Sequence, residues 1–239
     1  MVEFAGIKGG EKVLDVATGK GASLFPSVDK VGRNGEVIGI DISEGMAHET
    51  NLEIQRKCLQ NATVMVMDAE KLEFLSETFD HILCGFGLFF FPNYKAALAE
   101  FKRVLKSNGR FSFTTFLNKS DEKFMWFREL VKKYLPSSEG EFEEDDGPGF
   151  NTEEELYKAL NDAGFKNILV KSEEKTFKYK DEQEWWDKLW THGFIRVLEA
   201  IPEERMEDFK SEVFVRLREM KESEGILATM FVLYAFGEK

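Results

Sequence analysis

Apolar positions follow two rhythms along this chain. Through the first half, short β-branched and apolar runs at 12–16, 36–40, 63–67, 81–84 and 110–116 predict five strands. Between them, 44–61 and 94–105 carry apolar residues at helical spacing; the second places Ala97, Leu98, Phe101, Val104 and Leu105 on one face before a Ser107-Asn108-Gly109 stop. Strand and helix in alternation predict a parallel sheet with helices on both faces. The second half changes character. A helical stretch at 121–134 leads into 136–149, rich in Gly, Pro, Ser and acids, which reads as a loop. Asn151-Thr152-Glu153-Glu154-Glu155 reads as a capped helix start, running to Ala163-Gly164, and a sixth strand is predicted over 167–179. Residues 181–224 are helical in pattern, with Met206, Phe209, Val213, Leu217 and Met220 in one stripe and Pro202 starting the second helix of a pair. The apolar run 227–236 closes the chain as a buried strand. The expectation is one α/β domain over 1–239: a doubly wound, seven-stranded, mostly parallel sheet, with helical cap insertions at about 120–150 and 181–224, the latter just before the last strand.

Length and composition narrow the function. At 239 residues the chain suits a single core. It holds no apolar run of about 18 residues and opens without a basic segment ahead of a hydrophobic one, so no membrane span or signal peptide is expected, and the expected location is cytoplasmic. The only cysteines are Cys58 and Cys84, too few for a disulfide framework. A net charge of -12 opposes capture of nucleic acid or anionic lipid. The 23 Phe and 4 Trp supply core or pocket lining. The expected partner is therefore a small-molecule acceptor rather than nucleic acid, and a homodimer stays open.

The chemistry concentrates after the first strand. Val13-Leu14-Asp15-Val16-Ala17-Thr18-Gly19-Lys20-Gly21 is a hydrophobic strand ending in a turn poor in side chains. A helix follows, whose N-terminal N–H groups are free to bind. A dinucleotide turn wants glycine at three positions, and counting from Gly19 the third is Leu24. Asp15 would repel a pyrophosphate but pairs with an ammonium group, so the ligand should carry an amine. At the end of the second strand Asp41 is placed to accept both ribose hydroxyls of a nucleoside, with Ile42 and Met46 packing on its base; the alternative is a helix cap, a role for which Ser43 competes. This series resembles class I S-adenosylmethionine-dependent methyltransferases, in the branch related to ubiquinone and menaquinone biosynthesis. Leu105-Lys106-Ser107-Asn108-Gly109-Arg110, similar to that family's turn before the fifth strand, extends the resemblance over 11–116.

The resemblance implies a Rossmann-like methyltransferase fold. It implies S-adenosylmethionine as cofactor and S-adenosylhomocysteine as product, held by Asp15, Ala17, Thr18, Gly19, Gly21, Asp41, Ile42 and Met46. Asp68, beside Ala69, would reach the adenine amino group, with loop solvation the alternative. Cys84 and Gly85 would line the cofactor and Phe86 the substrate. Ala17 stands where the family has glycine, and the turn is expected to survive if its φ stays negative. Members of the family carry a few tens of residues before the first strand, whereas here that strand begins at Lys12. The cover then comes from the later insertions, a partner chain, or residues ahead of this start.

Outside the motifs, His192 in Trp190-Thr191-His192-Gly193-Phe194 is the candidate base, against a structural role in the helical cap, and Trp190 and Phe194 are candidate substrate contacts. His48 is expected in solvent and His81 in the structure. Trp126, Trp185, Trp186 and Trp190 form either an aromatic roof or packing between insertion and core. The acids Glu141, Glu143, Glu144, Asp145 and Asp146 lack an ordered ligand spacing, and no metal is expected. The expected function is transfer of a methyl group to a small apolar or aromatic metabolite by in-line displacement. The alternatives are a noncatalytic nucleoside-binding regulator and a nicotinamide-dependent oxidoreductase.

Overall fold

The structure is a computed structural model that describes residues 1–136, 149–190 and 195–239, the last segment without the side chains of 195 and 196. In chain order the elements are α1 (Val2–Ala5), β1 (Lys12–Val16), α2 (Leu24–Val31), β2 (Glu36–Asp41), α3 (Glu44–Arg56), β3 (Ala62–Val66), β4 (Phe79–Gly85), α4 (Tyr94–Val104), β5 (Leu105–Phe116), α5 (Met125–Tyr134), α6 (Glu153–Asp162), β6 (Lys166–Tyr179), α7 (Glu182–Leu189), α8 (Ile195–Glu199), α9 (Glu203–Met220) and β7 (Ile226–Glu238). The seven strands form one sheet in the order β3-β2-β1-β4-β5-β7-β6. β1 pairs in parallel with β2 and β4, and β2 with β3 and β4 with β5 likewise; β7 runs antiparallel to β5. This is the doubly wound, mostly parallel α/β sheet of the sequence pattern, with helical elements between β6 and β7.

The chain divides into two compact units where the pattern predicts one domain. The first comprises Met1–Leu117, Pro148–Glu173 and Val232–Lys239, and the second Asn118–Gly147 and Glu174–Phe231. In the first, strand alternation sends successive side chains to opposite faces. Leu14, Val16, Ile82, Cys84, Phe111 and Phe113 join one core with α4 and α6. Val13, Val37, Val64 and Leu83 join another with α1, α2 and α3. In the second unit Phe209, Val213 and Leu217 on α9 are fully buried, as their spacing predicts, against Phe127 and Val131 of α5 and the two tryptophans of α7.

Several boundaries differ from the pattern. β5 begins at Leu105 rather than 110, because Phe79 pairs with Leu105 and pairing resumes at His81 and Arg110. The intervening residues bulge, with Asn108 at φ 66. The expected helix pair is three helices, α7, α8 and α9; Pro202 caps the last and Glu203 begins it. Thr152 caps α6 in a capping box with Glu155, as its sequence signals.

Candidate active site

β1 delivers Asp15 to the C-terminal end of the sheet, 1% exposed, on the face shared with α1, α2 and α3. Thr18 Oγ1 donates to Asp15 Oδ2 at 2.6 Å. Burial pushes the Asp15 carboxyl up to about 7; the hydrogen bonds from Thr18 and the Leu24 backbone oppose this, and the like charge of Asp41 adds to it. The turn is held from three sides. The Thr18 N–H donates to the Ile40 carbonyl at 3.0 Å, the Gly19 N–H to Asp41 Oδ2 at 2.9 Å, and the buried Thr50 hydroxyl to the Gly19 carbonyl at 2.6 Å. Gly39, opposite Asp15 in the register, has no room for a side chain: a Cβ there would meet Leu24 Cδ1 at 2.8 Å and Thr18 Cγ2 at 3.0 Å.

Ala17 corrects one expectation. Its φ is 52, so it takes the left-handed conformation and the turn forms all the same. The strain is about 1 kcal/mol for a residue with only a methyl group. That methyl lies against Gly87, where a Cβ would come within 2.6 Å of it. The small residue missing from the motif is thus matched by one some 70 positions downstream.

A cavity of about 210 Å³ opens on this face, lined by Asp15, Ala17, Thr18, Gly85, Phe86 and Tyr234 among others. Gly85 forms its floor between strands, since a Cβ there would meet Ser23 Oγ at 3.2 Å. Phe86 stands at φ 54, and its ring packs on Phe116 with centroids 4.7 Å apart. A bulky residue at positive φ marks a constrained site. The Cys84 side chain does not line this cavity. Alternation turns its side chain to the other face, where it is fully buried and burial raises its thiol far above the usual range.

Beyond the turn, Asp41 Oδ1 accepts from the Ser43 N–H at 2.9 Å, and Ser43, not Asp41, caps α3 by accepting from the Met46 N–H. Ile42 is 76% exposed and Met46 39%, an apolar surface directly after the acid. Asp68 is exposed and accepts from the Glu70 N–H at 2.9 Å, with Ala69 buried behind it. Gly21 closes the turn by donating to the Thr18 carbonyl at 2.8 Å.

Of the remaining candidates, His192 and Phe194 lie outside the described residues, as does the acidic stretch at 141–146. Trp190 is partly buried in the second unit's core, its ring 6.2 Å from that of Trp186. Trp185 stacks on Phe124 at 5.7 Å, and Trp126 donates to Met220 Sδ at 3.1 Å, so these rings pack within that unit. His48 is exposed; His81 is buried, its Nε2 3.1 Å from Glu11. Among the described residues no group of three or more His, Cys, Asp or Glu could hold a metal, and no helix is long and apolar enough to cross a membrane. Sequence reasoning missed Thr50, Thr114 and Tyr234. The first two give no local signal; the third shows only as a polar-tipped residue in an apolar strand.

The family model described as the ubiE/COQ5 methyltransferase family matches residues 1–177. A demethylmenaquinone methyltransferase from Staphylococcus saprophyticus is 35% identical over 179 residues, covering 70% of this chain and 75% of that protein. The aklanonic acid methyltransferase DauC from Streptomyces sp. (strain C5) is 42% identical over 106 residues, 44% of this chain and 48% of that protein, so the chain matches about half of its length. Among solved structures, a SAM dependent methyltransferase from Aquifex aeolicus superposes with a TM-score of 0.55 at 25% identity, covering 74% of this chain and 80% of that one.

Proposed function

The chain belongs to the ubiE/COQ5 methyltransferase family and is an S-adenosylmethionine-dependent methyltransferase, and from that premise we propose that its cofactor lies across the ends of β1, β2 and β3 and that its acceptor is a small hydroxylated aromatic of the quinol type. The comparisons support neither a nicotinamide-dependent oxidoreductase nor a noncatalytic regulator. One observation carries the placement: Asp15 is a buried carboxylate in a cavity wall beside a glycine-rich turn, and its partners there are a hydroxyl and a backbone N–H. A buried carboxylate in that state binds an ammonium group strongly, because the pair removes the penalty of burying the charge.

The residues fit the cofactor along its length. Asp15 and Thr18 receive the amino-acid end, and Ala17, Gly19 and Gly21 keep the backbone within reach of it. Asp41 uses one oxygen for the Gly19 N–H and the other for the Ser43 N–H, and each retains a lone pair for a ribose hydroxyl. Ile42 and Met46 offer apolar surface to the base, with Asp68 and Ala69 at its edge. Bound there, S-adenosylmethionine supplies a methyl group already activated on a sulfonium. The chain's own task is then to orient the acceptor and exclude water, for which Gly85 and Phe86 form the wall. His192, with Trp190 and Phe194, remains the proposed base and acceptor contact of the insertion. The acceptor class rests on the names of the two relatives, on the Phe86 and Phe116 rings, and on a net charge of -12 that disfavours polyanions. We place the protein in the cytoplasm, as a monomer or homodimer.

Calorimetric titration with S-adenosylmethionine, S-adenosylhomocysteine and NAD tests this. Binding of the first two alone, weakened about tenfold (about 1.4 kcal/mol) in Asp41→Ala, is expected. Binding of NAD, or of no nucleoside, would sink the placement.

A further inference from the structure

Within the turn after β1, the peptide between Gly19 and Lys20 is the joint that packing restrains least. Gly19 stands at φ 49, and a Cβ there would meet nothing within 4 Å. A residue without a side chain reaches many backbone conformations at little cost, so this peptide plane can flip unless something outside the turn holds it. The two backbone groups of Gly19 have separate anchors. Its N–H, on the preceding peptide, donates to Asp41 Oδ2 at 2.9 Å, and its carbonyl, on the following peptide, accepts from Thr50 Oγ1 at 2.6 Å. Among the described residues no other donor reaches that carbonyl. Thr50 lies in α3, 1% exposed, on the face that Ala47 and Ile54 turn to the core. A helical threonine ordinarily returns its hydroxyl to a carbonyl one turn back in its own helix; here it reaches 31 residues along the chain instead. A trans peptide holds its C=O and N–H antiparallel. Fixing the Gly19 carbonyl toward α3 therefore turns the Lys20 N–H away from that helix. This N–H has no partner among the described residues, and Lys20 is exposed.

We infer that Thr50 is a positioning residue for the cofactor: its hydroxyl locks the Gly19–Lys20 peptide in one orientation and so keeps the Lys20 N–H a free donor for the amino-acid end. This rests on the cofactor lying at the turn, as proposed above. Without the hydroxyl the Gly19 carbonyl is a half-buried acceptor with no donor. Rotating the peptide plane toward water relieves that, glycine permits it, and the same rotation turns the Lys20 N–H around. Asp41 is held through the other peptide of Gly19 and, at Oδ1, by the Ser43 N–H, so the ribose end keeps its geometry. The next residue of the helix has a different task. Asn51 donates its side-chain amide to the Val64 carbonyl at 2.8 Å and accepts from the Val64 N–H at 2.9 Å, which pins α3 to β3 rather than to the turn.

The test titrates the full chain by calorimetry with S-adenosylhomocysteine and with 5′-methylthioadenosine, which keeps the nucleoside and sulfur but lacks the amino-acid end. Thr50→Val keeps the shape and removes the hydroxyl. It should lose about tenfold in affinity for S-adenosylhomocysteine and less than about twofold for methylthioadenosine. Thr50→Ser, which restores the donor, should recover most of the loss. Asn51→Ala should lower the melting temperature and leave the ratio of the two affinities at the wild-type value, because it loosens the helix without freeing the peptide. Thr50→Cys, a weaker donor of similar size, should lose about threefold with the same selectivity, and it decides the matter where the valine variant does not fold. Equal losses for both ligands, no loss for either, no recovery with serine, or the same selective loss in Asn51→Ala overturns the assignment. A wild-type chain that fails to bind S-adenosylhomocysteine instead overturns the proposed function, and this inference with it.

Discussion

The two ends of one sheet face carry acids in opposite states, one buried and the others partly buried. At the C-terminal end Asp15 has a hydroxyl, a backbone N–H and the like charge of Asp41 for company, and burial lifts its carboxyl to about 7. At the N-terminal end a second cavity, about 460 Å³, is lined by Glu11, Asp80, His81, Lys106, Arg110 and Glu238 among others. There the chain supplies its own counter-ions. Lys106 lies 2.8 Å from Asp80, Arg110 2.7 Å from Glu238 and His81 3.1 Å from Glu11. Burial works against the ionised Asp80, yet Lys106 and the Lys12 N–H hold its carboxyl below the usual range. Burial likewise lowers His81, and Glu11 opposes it. Backbone strain divides the same way. Ala17 and Phe86 sit at positive φ beside Asp15, whereas the N-terminal end uses Asn108, a residue that tolerates it. An end whose charges are neutralised internally contributes stability. An end left uncompensated stores free energy that a complementary ligand releases.

Removing the uncompensated charge should have the largest effect. Asp15→Asn is expected to lower S-adenosylhomocysteine affinity about a hundredfold and to stabilise the ligand-free chain above neutral pH. The sign follows from linkage. The folded carboxyl titrates near 7 and the unfolded one near 3.8, so the stability Asp15 contributes is complete below the unfolded value and is lost as pH rises through about 7. That loss is on the order of 4 kcal/mol. Thermal melts from pH 4 to 8 should slope downward in the wild type and flatten in the variant; parallel slopes would refute the account.

Strain at the same end provides the second prediction. Gly87→Ala forces a methyl group against that of Ala17 and should destabilise by about 2 kcal/mol. Adding Ala17→Gly should recover most of it, a coupling read from the double-mutant cycle in denaturant. Additive losses would mean that the two positions do not share the space. The smallest effect belongs to the neutralised end. Asp80→Asn should lower stability by about 1 kcal/mol and leave S-adenosylhomocysteine affinity within about twofold. Its contribution has the opposite pH sign, since a lowered carboxyl stabilises above its unfolded range and loses this on acidification. A change in affinity there would erase the distinction between the ends.

Much of the candidate site's local geometry was legible in the sequence. Asp15, the small-residue turn and Asp41 lie at strand ends, where the chain direction alone decides what they can face, and Ser43 sits three residues ahead of the N–H it caps. The Cys84 side chain faces away from the cavity although its neighbours in sequence, Gly85 and Phe86, line it, because period-two alternation sends it to the other face. Ala17 was judged by its own φ alone, although its tolerance depends on Gly87, far along the chain. Tyr234 enters the wall because β7 inserts antiparallel beside β5, a pairing no local pattern specifies.

By itself the sequence determined the alternation of elements, the doubly wound class and the small-residue turn after the first strand, because each follows from spacing within a few residues. Tertiary structure decided which face each strand residue takes and which acids find counter-ions. It also decided that the last strand closes the cavity beside Thr114, because burial and charge compensation depend on residues far apart in the chain.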